Sequence, residues 1–353
     1  MDVMSIIFEE IMKDYTKKYK EYKDLEEYLN SFTKKKLFLE AVARTLVEED
    51  EGPKEVIAIN KEGKKEIINY IINNIEDIIY FKLLALPDDN IKYLKEIINN
   101  NNELVVVDHF LPIDLITNLG NSILLHVYYD KKNDTITLNI QKDISKVINK
   151  VISSKKFIKE HNNLNNFEKE IDRLMEVYGI IDVDNLYKIY TEVYKKINLT
   201  EFKKDLYQLT IKDSSITEKI VNDKEYITIL SYDNDKDIEL ILNNAEEYKV
   251  YDKDFYEKLY NREYLKSLKS YENLYDYFLK YYDLDLNEEE DVFEMIVCDY
   301  LYQIQEDKDR ARKAIYKNLD DYFDINSKQK NEIINYLNRI YYDYPKWRKK
   351  GNI

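Results

Sequence analysis

Only five glycines and four prolines punctuate 353 residues. These two residues supply left-handed turns and fixed-φ corners, so a chain this poor in them cannot be built from many tight turns. Collagen-like, linker-rich and turn-rich architectures are excluded. Hydrophobic residues make up 44% of the chain, enough to bury a core and to exclude wholesale disorder. At about 100–200 residues per domain, the length fits two or three domains.

Apolar spacing then assigns the elements. Ile6, Ile7, Ile11 and Tyr15 recur at helical intervals, as do Leu25, Tyr28 and Leu29. Ser31 or Thr33 is positioned to cap a helix carrying Leu37, Ala41, Val42 and Leu46. Gly52-Pro53 breaks the pattern before a short apolar run, 56–59, and a helix with Ile67, Ile71, Ile75 and Ile79 follows. Pro87-Asp88-Asp89 opens another helix, and the β-branched run 104–107 reads as a strand. Pro112 to Gly120 predicts a short helix, and runs 123–129 and 135–140 flank a polar turn, a hairpin.

The second half repeats this order. A helix over 167–178 ends at Gly179, Asp182 or Asp184 caps the next, and Thr200 caps a third. Runs 216–221 and 226–230 then enclose Asn222 to Glu225 as a second hairpin. From Tyr251 onward the spacing is helical, with helices expected over 293–304, 311–322 and 328–342. The expected fold class is α+β, predominantly α-helical. Its segments are a helical head (1–80), two winged-helix-like units with β-hairpins (81–160 and 161–250) and an acidic helical C-terminal domain (251–353).

Charge narrows the function classes. Asp and Glu number 69 against 54 Lys and Arg, a formal net charge of −15, which opposes general attraction to phosphate polymers. Arginines are few (Arg44, Arg173, Arg262, Arg310, Arg312, Arg339 and Arg348), which argues against bidentate base reading. No apolar stretch reaches the length needed to span a bilayer and no signal peptide opens the chain, so a cytoplasmic location is expected and no membrane partner. The 34 tyrosines are spread along the chain, and with abundant Lys, Asn and Ile they fit codon bias better than a specialised binding surface.

Catalytic signals are weak. Cys298 is the only cysteine and His109, His126 and His161 lie far apart, so neither a multi-cysteine zinc site nor a metal-ligand spacing is present. Asp108-His109 and His126 invite acid–base chemistry, yet no nucleophile elbow accompanies them. Asp233 to Asp237 resembles the start of a calcium loop but lacks its Gly and Glu, with Ile238 and Asn244 in those places. Glu247-Tyr248-Lys249 downstream of Asp237 imitates a metal-nuclease pattern that chance supplies readily in so Glu- and Lys-rich a chain. No Gly-rich phosphate loop occurs. No cofactor, metal or catalytic residue is therefore expected.

Binding residues are the remaining candidates. For nucleic acid they are Lys17, Lys18, Lys20, Lys34, Lys35 and Lys36 in the head and Lys203 and Lys204 in the second winged unit. Near each group lie acids, among them Glu21, Asp24, Glu201 and Asp205, which favours a solvated, neutralised face. From Asp283 to Asp299 there are eight acidic residues and no basic one; Asp283, Asp285, Glu288, Glu289, Glu290 and Asp291 are the candidates for contacting a partner.

Two stretches carry a resemblance. Leu29 to Leu37 (Leu-Asn-Ser-Phe-Thr-Lys-Lys-Lys-Leu), with Ala41 and then Lys65-Glu66-Ile67-Ile68, resembles the N-terminal helical module of Rho transcription terminators, with Phe32 in place of a leucine. The tail from Asn338 to Gly351, with Pro345 and Trp347, is similar to the closing segment of uncharacterised proteins of low-GC Gram-positive bacteria and their phages. In those proteins a Rho-N-like head joins a helical body, sometimes with a cysteine-rich SEC-C zinc motif that this chain lacks. The resemblance implies a small helical module able to contact RNA or protein and supplies no catalytic residue. The expected function is a non-enzymatic cytoplasmic interaction or regulatory protein acting through protein contacts. The alternatives are a nucleic-acid-binding regulator and an acidic inhibitor occupying a partner's nucleic-acid groove.

Overall fold

The computed structural model describes residues 21–45, 63–107, 115–116, 119–120, 122–130, 135–212, 215–229, 246–282, 290–323 and 325–353; for 42–45, 211, 282 and 290–291 it describes the backbone alone. The chain is α+β and predominantly helical. It divides into two compact units, residues 1–166 with 207–212 and residues 167–206 with 213–353. The expected helix from Ile6 and the apolar run 56–59 lie outside the described residues.

The first unit opens with α1 (Leu25–Asn30), where the Asp24 carboxylate accepts the Glu27 N–H at 2.8 Å. Thr33, of the two residues considered, caps α2 (Lys34–Thr45), its hydroxyl accepting the Lys36 N–H at 3.2 Å. The single helix expected across Ile67 to Ile79 is two, α3 (Lys64–Asn73) and α4 (Ile75–Leu84). At the break, the Asn74 side chain donates to the Tyr70 carbonyl at 2.9 Å, competing with the helical ladder. Helix α5 (Asp88–Asn99) starts directly after Pro87, as expected, and buries Ile91, Leu94 and Ile97. Asn101 and Asn102, both at positive φ, turn the chain into β1 (Glu103–Val107).

Strands β2 (His126–Asp130) and β3 (Thr135–Asn139) complete a three-stranded antiparallel sheet in the order β1-β3-β2. In β3 alternate residues, Ile136 and Leu138, point into the core, paired with Val106 and Leu104 of β1. Helix α6 (Lys142–Ile152) follows, its apolar stripe of Ile144, Ile148, Val151 and Ile152 buried. The first half of α7 (Lys155–Tyr178) belongs here too. This helix starts twelve residues before the 167–178 span expected, because Phe157 and Leu164 supply an inward stripe that the polar residues between them conceal.

The second unit begins at Phe167 within α7. Gly179 ends that helix at φ +64°, its N–H donating to the Met175 carbonyl at 2.8 Å. Strand β4 (Ile180–Asp182) leads into α8 (Val183–Val193), and the Asp182 carboxylate caps it by accepting the Asn185 N–H. Helix α9 (Leu199–Lys212), whose last six residues fall in the first unit, is capped by Asn198 rather than Thr200. Asn198 Oδ1 accepts the Glu201 N–H at 2.8 Å, and an asparagine amide holds that position at least as well as a threonine hydroxyl. The hairpin of β5 (Thr217–Val221) and β6 (Lys224–Thr228) turns through Asn222 and Asp223, both left-handed, so β6 begins two residues earlier than its apolar run suggests. The sheet order is β4-β6-β5, again antiparallel. Phe167, Tyr190 and Phe202 pack ring to ring at 5.2–5.6 Å.

The rest of the second unit is helical: α10 (Lys253–Tyr260), α11 (Glu263–Ser267), α12 (Lys269–Tyr282), α13 (Glu290–Glu306), α14 (Lys308–Tyr322) and α15 (Ser327–Tyr342). The tail closes this unit. Trp347 is 2% exposed, its indole N–H donates to the Glu176 carbonyl at 3.0 Å, and its backbone N–H donates to Gln305 Oε1. A Cβ on Gly179 would stand 2.2 Å from the indole, so only glycine lets the helix end approach the ring this closely.

Candidate interaction surface

Helix α9 and the β5–β6 hairpin carry the binding residues that the sequence picks out in this unit. Lys203 is half-buried and its ammonium lies 2.8 Å from the Glu225 carboxylate of the hairpin. Lys204 is exposed beside it. Lys224, at the start of β6, reaches back to the buried Asp182 carboxylate at 3.1 Å. Two of the cations that a phosphate would need are thus already matched by acids of the same unit. The Glu225 contact also holds the Lys203 pKa above the usual lysine range.

Beyond these pairs the hairpin presents a strand edge. Strand β5 lies at the end of the sheet order, with every residue exposed or half-buried, and Ile220 is 72% exposed. Natural edge strands are usually blunted by charge, proline or cover. Among the described residues no further strand pairs with β5 on its outer side, and Ile220 stands exposed there.

The other candidates fall as follows. Lys34 and Lys35 are exposed at the start of α2, and Lys36 lies 4.4 Å over the Phe32 ring. Lys17, Lys18 and Lys20 lie outside the described residues, as do Asp283, Asp285, Glu288 and Glu289. Glu290 and Asp291 open α13, described in backbone only. The structure therefore brings Lys203 and Lys204 onto one helix beside the hairpin, and among the described residues it joins no other candidate lysine to them.

The residues weighed for catalysis have structural surroundings. Burial pushes the Cys298 thiol up to about 11, which keeps it protonated and poorly nucleophilic near neutrality. His161 is buried, with Nε2 2.8 Å from the Leu86 carbonyl and its ring stacked on Phe157. His126 lies among Tyr22, Tyr28, Phe32 and Tyr128, with ring centroids 4.7–5.8 Å away. Asp108, His109 and Asp233 to Asp237 lie outside the described residues. The backbone of Glu247 to Lys249 is tied to the tail: the Lys249 N–H donates to the Lys350 carbonyl and Asn352 Nδ2 donates to the Glu247 carbonyl. Among the described residues no group of His, Cys, Asp and Glu is placed to hold a metal ion, and no helix is long and apolar enough to cross a membrane.

One carboxyl group escaped the sequence reading. Glu176, in the last turn of α7, accepts the Tyr344 hydroxyl at 2.9 Å across 168 residues of chain. Burial pushes its pKa above the usual glutamate range, against the Tyr344 hydrogen bond and the Arg262 charge, which pull it down. An acid whose folded pKa is raised contributes stability below its unfolded pKa and loses that contribution as pH rises through the folded value. Each unit of difference corresponds to about 1.4 kcal/mol missing at neutral pH. Glu176→Gln is therefore expected to stabilise the protein near neutrality and to flatten its stability between about pH 5 and about pH 7.5. Urea denaturation at both pH values measures this; equal loss of stability at both would oppose it.

No protein-family model, curated protein or solved structure matches the chain.

Proposed function

We propose that this is a non-enzymatic interaction protein, and that the second winged-helix-like unit expected from the sequence, 161–250, contacts protein rather than nucleic acid. Three features support the winged reading: the order α7-β4-α8-α9-β5-β6, the strand order β4-β6-β5, and the hairpin beside α9. The first unit carries the same strand order, β1-β3-β2, and is read as a partial counterpart. In this arrangement α9 takes the place of the recognition helix and the hairpin that of the wing.

The observation that carries the choice of partner is Ile220 on the edge strand β5. A partner chain adding a strand along β5 would cover the isoleucine, a recognised mode of protein binding. The matched lysines point the same way. Lys203 and Lys224 already have carboxylate partners, so phosphate contacts would have to break ion pairs first. The experiment is photo-crosslinking from position 220 in the full chain: a covalent protein adduct is the expected product, and a nucleic-acid adduct would overturn the reading.

A further inference from the structure

Helices α12, α14 and α15 together carry ten Lys or Arg and six Asp or Glu, a net of +4 in a chain whose total is −15. Three of the seven arginines are among them: Arg310, Arg312 and Arg339. We propose that α12, α14 and α15 form a docking surface for a carboxylate-rich segment of a protein partner.

Three cation–tyrosine couples build this surface. The Tyr277 ring lies 4.7 Å from Tyr281 on α12 and 5.4 Å from Tyr336 on α15. Lys280 Nζ stands 5.1 Å over the Tyr281 ring, and the Arg339 guanidinium 5.4 Å over Tyr336. On α14 the Arg312 guanidinium lies 5.7 Å over Tyr316, and both side chains donate to Asn331 Oδ1 of α15. Asn331, Asn335 and Arg339 recur every four residues and are all exposed, so one stripe of α15 joins the couples. The Arg312 and Arg339 groups are then about 12 Å apart along the axis, a span that an extended peptide covers in about four residues.

Charge complementarity names the occupant. Lys280, Arg312 and Arg339 are exposed, and none of them forms an ion pair among the described residues. This contrasts with Lys203 and Lys224 on the hairpin side, both matched by carboxylates. Resting on ring faces, the three cations are held in place before a partner arrives, and Tyr with Arg is the composition that dominates protein interfaces. A single-stranded nucleic acid would instead need open ring faces for stacking. Here each ring already has a cation or another ring against it. The surface is independent of the β5 edge, so either proposal can fail alone.

The test titrates the full chain with an oligoglutamate peptide and, separately, with oligouridylate of equal charge, at low and physiological salt. Its comparison variant is Lys280→Gln with Arg312→Gln and Arg339→Gln. Because all three side chains are exposed, the variant is expected to keep the parent circular dichroism and melting temperature. Peptide binding that weakens with salt and falls at least about tenfold in the variant is the expected result. Preference for oligouridylate through the same three residues would overturn the proposal in favour of a nucleic-acid site. Unchanged peptide affinity in the variant, or binding of neither probe, would overturn it outright.

Discussion

Trp347→Ala is expected to lower the stability of the second unit by about 3–5 kcal/mol, the range for truncating a fully buried large aromatic side chain. The indole is 2% exposed, meets the Tyr302 ring edge-on at 5.1 Å and fills the space that Gly179 leaves open. Removing it also frees the Glu176 carbonyl, which accepts the indole N–H at 3.0 Å. The surrounding tail cannot collapse into the gap easily, because it is tied at several points. Gln305 Nε2 donates to the Pro345 carbonyl, Arg348 donates to the Glu306 carbonyl, and Tyr251 donates to the Gly351 carbonyl. Trp347→Phe, which keeps most of the packing but loses one hydrogen bond, should cost less than the alanine. Ile353→Ala, at a position 50% exposed, should cost almost nothing. Urea midpoints for the three variants measure the series; equal effects at 347 and 353 would contradict the tail's role.

A comparable loss is expected in the first unit from Lys82→Met. Lys82 Nζ lies 2.7 Å from Glu40 Oε2, and the Glu40 side chain is 6% exposed against 19% for Lys82. The contact is one of charge rather than of an aligned hydrogen bond, since Oε2 accepts none. Deleting the ammonium leaves a carboxylate buried without compensation, which costs about 3–5 kcal/mol. Replacing both residues, Glu40→Leu with Lys82→Met, should restore most of that loss, because an apolar pair of similar volume carries no desolvation penalty. A double variant as unstable as the single would show that shape, not charge, governs this position.

Local signals were legible in the sequence and long-range pairings were not. Pro87 before α5, Gly179 after α7 and Asp182 before α8 each act through their own backbone neighbourhood, and each stands where expected. The β5–β6 hairpin was likewise readable from its polar turn. Its exact start was not, because Asn222 and Asp223 adopt left-handed conformations that allow a two-residue turn. The break at Asn74 was hidden for a different reason: isoleucines continue on both sides, and only the side-chain bond to Tyr70 marks it.

The candidate surfaces show the same division. Lys203 and Lys204 could be placed on one helix from spacing, but the Lys203–Glu225 pair joins residues that only the folded hairpin brings together. The stacked cations of α12, α14 and α15 form no motif along the chain, because Arg312 and Tyr316 meet Asn331 only in the folded helices. A running charge count would have found the basic stretch beginning at Lys308. The Glu176–Tyr344 hydrogen bond carries no sequence signal at all, since neither residue is unusual in its own surroundings.

The claim that this chain acts through protein contacts at the β5 edge is tested most directly by crosslinking in its native cells. A photoreactive residue replaces Ile220 in the full chain, and a control places it at Lys188, an exposed site on α8. The account predicts one discrete protein adduct from position 220, resistant to nucleases and absent from position 188. Nuclease-sensitive adducts from position 220, or the same adducts from both positions, would contradict it.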